Sequence, residues 1–197
     1  MTRQSGASLL FHAAMQSLRS LEALEREGLV ETDPRLATAA QSMAIAITPD
    51  MLALIDRARL ASDPIARQFV PSAAETEVSA IELADPIGDE ARSPVKGLVH
   101  RYPDRVLLKP LHVCPVYCRF CFRREKVGPG GEALSAAELE AALAYIRNHR
   151  EIWEVILTGG DPLMLASRRL GELITALDEI AHVAVIRVHS RVPVVDP

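Results

Sequence analysis

Residues 105–121 read RVLLKPLHVCPVYCRFC, a short apolar run followed closely by Cys114, Cys118 and Cys121. The run is dominated by valine and leucine, as is typical of a buried β-strand. The three cysteines are the only ones in the 197 residues of the chain. This stretch therefore predicts a strand that leads directly into a loop with a metal-binding or reactive group.

C-terminal to this stretch, helix patterns alternate with strand patterns. Residues 135–149 begin at Ser135 and have Glu138 three positions later, which is the pattern of a capping box at a helix start. WEVILTGG predicts a buried strand, SRRLGELITALDEIA a second helix, and VAVIRVHSRVPVV opens with a third strand. This order is typical of parallel βαβ units, so the sequence predicts an α/β fold with about three βα units.

Three polar segments each follow one of the predicted strands. The cysteines follow the first strand, Gly159–Asp161 the second, and His189–Arg191 the third. In parallel units the loops after the strands lie at the same rim and carry the chemistry. We therefore expect these segments to lie together.

The N-terminal residues 1–95 predict a mostly helical region that precedes an α/β part over residues 96–197. SLLFHAAMQSLRSLEALEREG has apolar residues at helical spacing and predicts a helix that ends at Gly28. TAAQSMAIAIT and TPDMLALIDRA predict two more helices, the second with Thr48 as N-cap and Pro49 at its first position.

Composition excludes some classes of function. The net charge is −4, which argues against a nucleic-acid binder held by bulk charge. The N-terminus has no apolar run long enough for a signal peptide or a membrane span, so we expect a cytoplasmic protein without a membrane partner. Thiols stay reduced there, and three cysteines then favour a metal site or a reactive thiol over disulfides.

The C-x3-C-x2-C spacing is compatible with two kinds of metal site. Thiolates bind both zinc and iron–sulfur clusters. A structural zinc site needs a fourth ligand, which His100 or His189 could supply. A [4Fe–4S] cluster on three cysteines would leave one iron open to a substrate or cofactor.

CPVYCRFC resembles the signature of the radical S-adenosylmethionine (SAM) enzymes, C-x3-C-x-aromatic-C. HRYPDRVLL, CFRRE, LTGGDPL and IRVHSRVPVV together resemble the lysine 2,3-aminomutase family, including the branch that makes (R)-β-lysine for elongation factor P. The resemblance implies an isomerase that moves the 2-amino group of L-lysine, or of a related lysine substrate, to C3. It also implies a [4Fe–4S] cluster, SAM, pyridoxal 5′-phosphate and a partial radical SAM (β/α) barrel, with residues 96–197 as the first half of six βα units.

The resemblance also implies roles for individual residues near the cluster. Cys114, Cys118 and Cys121 would hold the cluster, and Phe120 would lie near the adenine of SAM. The glycine-rich turn that would meet the methionine part of SAM consists of Gly159, Gly160 and Asp161.

Three further residues are implied in cofactor and substrate binding. Arg101 and Tyr102 would contact the phosphate and the ring of pyridoxal phosphate, because arginine offers a forked donor and tyrosine a flat surface. Arg123 would hold the α-carboxylate of the substrate. Without the resemblance, an ordinary loop ion pair of Arg101 with Asp104 and a packing role for Tyr102 would be the preferred interpretation.

Members of this family are longer, and we expect this chain to be an N-terminal portion. The chain has three lysines, Lys96, Lys109 and Lys126, and none matches the family's Schiff-base lysine. The expected partners are an amino acid substrate such as lysine and an electron donor such as flavodoxin or ferredoxin, while homo-oligomer formation stays open. The alternative is a non-catalytic iron–sulfur or zinc-binding interaction protein.

Overall fold

The computed structural model describes residues 16–197, and a four-stranded sheet lies at the centre of the α/β part. In the order β1-β2-β3-β4, β1 is antiparallel to β2, and the other neighbours are parallel. The parallel order confirms the predicted α/β fold. The strands are β1 (Leu98–Tyr102), β2 (Arg105–Leu111), β3 (Glu154–Gly159) and β4 (Val185–Val188).

Strand β1 is absent from the sequence prediction. Only Leu98 and Val99 of this strand are buried, and Arg101 and Tyr102 are exposed. The apolar signal is therefore too short to indicate a strand, and pairing with β2 decides the conformation. The hairpin places Arg101 and Tyr102 at an edge of the sheet.

The N-terminal region is helical, as predicted, but its helices are shorter than the sequence pattern indicates. The structure describes the chain from residue 16 onwards, so residues 8–15 of the first predicted helix lie outside it. Leu18 forms an isolated bridge with Ile47 instead of a helical turn. The helix predicted over TAAQSMAIAIT ends at Ser42. The third begins after its cap Thr48, as predicted. These helices are α1 (Leu21–Arg26), α2 (Pro34–Ser42), α3 (Pro49–Leu54) and α4 (Ala66–Phe69).

Tertiary contacts explain why α2 ends early. The carbonyl oxygens of Met43 and Ala44 accept hydrogen bonds from the Arg119 guanidinium, at 3.1 and 3.2 Å. The Ala46 carbonyl accepts one from the backbone N–H of Tyr117 at 3.2 Å. The N–H of Ile47, which would bind the Met43 carbonyl in a continuing helix, donates instead to the carbonyl of Leu18 at 3.0 Å.

The predicted crossover helices are present as α5 (Ala136–Asn148) and α6 (Ser167–Asp178), and a short helix α7 (Val192–Val195) follows β4. The apolar faces of α5 and α6 pack on the sheet in one buried cluster. Its fully buried members include Leu98, Leu108, Ala142, Ile146, Val155, Leu157 and Leu177.

The helical region packs against the cysteine-bearing loop. Its core contains Leu24, Ile47 and Phe69 together with Val116, which lies between two of the cysteines, and Val195 of α7. The loop is therefore covered by the N-terminal residues, although the division of the chain at residue 95 stays a prediction.

We expect Ser135→Ala to lower the free energy of unfolding by about 1 kcal/mol, because Ser135 caps α5. Its hydroxyl accepts the backbone N–H of Glu138 at 3.2 Å, and the Glu138 carboxylate accepts the N–H of Ser135 at 2.8 Å. Urea denaturation measures the change. The control is Ser167→Ala, since α6 begins at Ser167 without a side-chain cap. Equal losses in both variants would contradict the assignment.

Candidate functional site

The three polar segments predicted to share one rim do lie together. They line a cavity of about 500 Å³ beyond the carboxyl ends of the parallel strands. The cavity is lined by the cysteine loop, the turn after β3 and the segment after β4. Among the lining residues are Cys114, Cys118, Phe120, Cys121, Thr158, Gly159, Gly160, Asp161, His189, Ser190 and Arg191.

All three cysteines are free thiols, and each is partly buried. Burial, with a further contribution from Asp161, raises the pKa of Cys114 to about 12. Burial also raises the pKa of Cys118, against the opposing effect of Arg191. A metal that binds here must therefore displace protons from the thiols.

The thiols fit an iron–sulfur cluster by their chemistry and by the cavity beside them. Thiolates are the usual ligands of such clusters. Within residues 16–197, no three His, Cys, Asp or Glu side chains are already arranged as metal ligands. In this arrangement the Cys118 sulfur accepts a hydrogen bond of 2.6 Å from Arg191. A sulfur that ligates a cluster can keep such a hydrogen bond, which is a normal feature of iron–sulfur sites.

Arg119 anchors the cysteine loop to the N-terminal region. Its guanidinium binds the carboxylate of Glu75, with Nε 3.1 Å from each oxygen, and also binds three carbonyl groups of residues 39–44. The Arg119 side chain is only 5% exposed. The loop is thus held to the N-terminal region by a buried ion pair that sequence reasoning did not predict.

Gly159, the last residue of β3, and Gly160 are packed so closely against the segment that leads into the cysteines that a side chain would not fit. Gly159 has φ +113°, a conformation that favours glycine. A Cβ atom at Gly160 would overlap the backbone of Val113, and the N–H of Gly160 donates to the carbonyl of Leu111 at 2.8 Å. The turn therefore packs directly against the segment that leads into the cysteines. A contact of these glycines with SAM stays a prediction.

Asp161 connects the turn after β3 to the segment after β4. Its side chain is buried and accepts hydrogen bonds from the Ser190 hydroxyl and the Arg191 N–H, both at 2.7 Å. It also accepts the N–H groups of Leu163 and Val192 at 3.0 and 3.3 Å. The carboxylate is thus already occupied, and it positions Ser190 and Arg191 at the cavity. A direct cofactor contact of Asp161 stays a prediction.

A second cavity, of about 330 Å³, adjoins the first. Arg101, Tyr102 and Arg123, which were predicted to bind cofactor and substrate, all line it. Asp89 and Arg105 line it too, and no local sequence pattern indicated either residue. The residues that line both cavities are Phe122, Arg123, Thr158 and His189.

The residues that were predicted to bind cofactor and substrate differ in their exposure and in the contacts that they already make. Tyr102 and Phe120 are 58% and 65% exposed, so a ligand could cover either ring. Arg101 donates to the carbonyl of Ile87 and lies 4.0 Å from the Asp89 carboxylate. Arg123 Nε donates to Asp89 at 2.8 Å, and the guanidinium lies over the Phe122 ring at 4.7 Å.

None of the helices over residues 16–197 has the length and apolar character needed to cross a membrane.

Comparison with known proteins gives one family model and several similar relatives. The model of the Radical SAM superfamily matches residues 108–196. The chain is 41% identical over 167 residues to L-lysine 2,3-aminomutase of Clostridium subterminale, which is 85% of this chain and 40% of that protein. It is 44% identical over 156 residues to the L-lysine 2,3-aminomutase of Acetoanaerobium sticklandii, 79% of this chain and 37% of that protein.

A relative with another substrate in its name is also similar. The chain is 37% identical over 152 residues to glutamate 2,3-aminomutase of Clostridioides difficile, which is 77% of this chain and 36% of that protein. The chain thus spans about two fifths of the length of these relatives.

Proposed function

Because the chain belongs to the lysine 2,3-aminomutase family of radical SAM enzymes, we propose that its two cavities serve the migration of an amino group from C2 to C3 of an α-amino acid. L-Lysine, or a related lysine substrate, is the proposed amino acid. The supporting observation is that the cavity lined by the cysteines and the cavity lined by Arg101 and Arg123 share a wall, formed by Phe122, Arg123, Thr158 and His189.

The first cavity would hold the [4Fe–4S] cluster on Cys114, Cys118 and Cys121. When bound, the cluster supplies the electron that cleaves SAM, and pyridoxal phosphate carries the migrating nitrogen. Asp161 keeps Ser190 and Arg191 at this cavity through two hydrogen bonds. Phe120 offers an exposed ring on which an adenine can stack.

The second cavity would hold pyridoxal phosphate and the amino acid. At the sheet edge, Arg101 offers hydrogen-bond donors to the phosphate, and Tyr102 offers a flat ring. Arg123 lies in the common wall and would bind the α-carboxylate, so that the amino acid lies between the two cavities. An electron donor such as flavodoxin or ferredoxin, and a cytoplasmic location, remain predictions.

The test is anaerobic incubation of the reconstituted protein with dithionite, SAM, pyridoxal phosphate and L-lysine deuterated at C3. We expect reductant-dependent 5′-deoxyadenosine but no β-lysine from residues 1–197, because Lys96, Lys109 and Lys126 do not match the Schiff-base lysine of the family. L-Glutamate in place of lysine tests the substrate. Formation of β-glutamate without β-lysine would overturn lysine as the substrate. A protein that binds iron or zinc but forms no 5′-deoxyadenosine would favour the non-catalytic alternative.

A further inference from the structure

Asp89 is a buried carboxylate that the proposed roles above leave unused. It lines the second cavity, and its side chain is 9% exposed. Oδ2 accepts Arg123 Nε at 2.8 Å and Lys109 Nζ at 3.3 Å. Oδ1 is buried and has no hydrogen-bond partner among residues 16–197. A buried unpaired oxygen is costly, so a purely structural position would be expected to hold another residue.

The backbone of Asp89 is held in place by its neighbours. Its N–H donates to Oδ1 of Asp85 at 2.9 Å, and its carbonyl accepts the Ser93 hydroxyl at 2.7 Å. The next N–H, of Glu90, donates to the other oxygen of Asp85 at 2.8 Å. The Asp89 carboxylate therefore has a defined direction before any ligand binds.

The hydrogen bond with Asp89 leaves the two terminal amino groups of the Arg123 guanidinium available to a ligand. Of the three guanidinium nitrogens of Arg123, only Nε has a hydrogen-bond partner within the described part of the chain. The two terminal amino groups carry four N–H donors in a planar fork, which matches a carboxylate with two parallel bonds. The side chain is 13% exposed and lines both cavities, so water competes little for this fork.

The charges around Asp89 favour an incoming anion. Lys109 and Arg123 contact its carboxylate, and Arg101 lies 4.0 Å away. Three cationic side chains thus surround one carboxylate, and the cluster keeps a net positive charge. Lys109, 6% exposed, compensates the charge of Asp89 from the side of the sheet. Asp89 can therefore orient Arg123 without repelling a carboxylate ligand.

We propose that Asp89 is a positioning residue that holds Arg123 in the orientation that binds the substrate carboxylate, with Lys109 as its buried counter-charge. The proposal rests on the proposed function, because it takes Arg123 as the carboxylate-binding residue. It adds two residues to the substrate site. Asp89 lies 34 positions from Arg123 in the sequence, and Lys109 lies 20 positions from Asp89.

The experiment compares a ligand that has the carboxylate with one that lacks it. Calorimetry measures binding of L-lysine and of L-lysinamide to the reconstituted protein. We expect Asp89→Asn to weaken lysine binding about 10- to 100-fold, the value of a hydrogen bond to a charged group. Lysinamide binding should change less than about twofold, since its neutral amide gains little from the fork.

Arg123→Met should reproduce this selectivity, and adding Asp89→Asn to it should cause no further loss for lysine. Glu90→Gln is the matched control, because Glu90 is adjacent but exposed and pairs with Lys126. Asp89→Asn leaves Lys109 buried without its partner, so Asp89→Asn/Lys109→Met is tested alongside it, and far-ultraviolet circular dichroism checks folding.

The outcomes distinguish the two proposals. Equal weakening of lysine and lysinamide by the Asp89 variants, or full additivity with Arg123→Met, would show a general structural role and overturn the positioning proposal. A wild-type protein that binds lysine no better than lysinamide would instead remove Arg123 as the carboxylate-binding residue, and the proposed function with it.

Discussion

Replacing Cys118 by serine is expected to reduce the iron bound after anaerobic reconstitution from about four atoms per chain to background. The chain has only three cysteines, and all three line one cavity. Removing one thiolate leaves two protein ligands for a cluster that is already short of one. Serine keeps the size of the side chain but is a poor ligand for iron in such clusters, so the loss reports on ligation rather than on packing.

Tyr117→Phe is the matched control for this variant. Tyr117 is adjacent to Cys118 and buried, and its hydroxyl has no hydrogen-bond partner within the described chain. Its removal should leave the iron content unchanged. Iron analysis and the absorption spectrum give the result. A full cluster in Cys118→Ser would contradict the assignment, and a colourless wild-type protein with one zinc would favour the structural metal site.

Arg119→Met is expected to lower the free energy of unfolding by about 3–5 kcal/mol. The substitution removes the buried arginine of an ion pair and leaves its carboxylate partner in place. Glu75, 17% exposed, would keep its charge without a partner. The carbonyl groups of Met43, Ala44 and Ala39 would each lose a hydrogen bond from the guanidinium. The cysteine loop would lose its main side-chain contact with the N-terminal region.

Arg124→Met provides a comparison within the same loop. Arg124 is 39% exposed and lies 3.7 Å from Glu82 and 4.0 Å from Glu125. Exposed pairs of this kind contribute less than about 1 kcal/mol. Urea denaturation of both variants measures the difference. Adding Glu75→Leu to Arg119→Met should recover part of the loss, because no unpaired charge remains. Similar losses for Arg119→Met and Arg124→Met would contradict the assigned anchor.

Local sequence patterns are enough to predict the features that depend on neighbouring residues. The capping box of Ser135 and Glu138 and the cap at Thr48 are present as predicted, because a cap needs only the residues of one helical turn. The apolar runs of β2 and β3 indicated buried parallel strands, because strands covered on both faces carry little polar sequence. The cysteine spacing is likewise local, and its eight residues indicated the radical SAM enzymes.

Which distant groups meet depends on the tertiary fold. The run after Ser42 has helical composition, but Arg119 binds two of its carbonyl groups and the Ile47 N–H binds Leu18. Asp161 reads as the end of a glycine turn, yet its carboxylate holds Ser190 and Arg191.

Asp89, Lys109 and Arg123 lie in three separate segments, and no sequence pattern indicated that their side chains meet. A buried charge takes its partner from whichever segment the fold brings within hydrogen-bond distance, and that choice leaves no periodicity or spacing in the sequence. Local patterns therefore predicted the parallel strands, the caps and the cysteine loop, whereas the cavities and the charges that line them depend on the packing of the sheet, the cysteine loop and the N-terminal region.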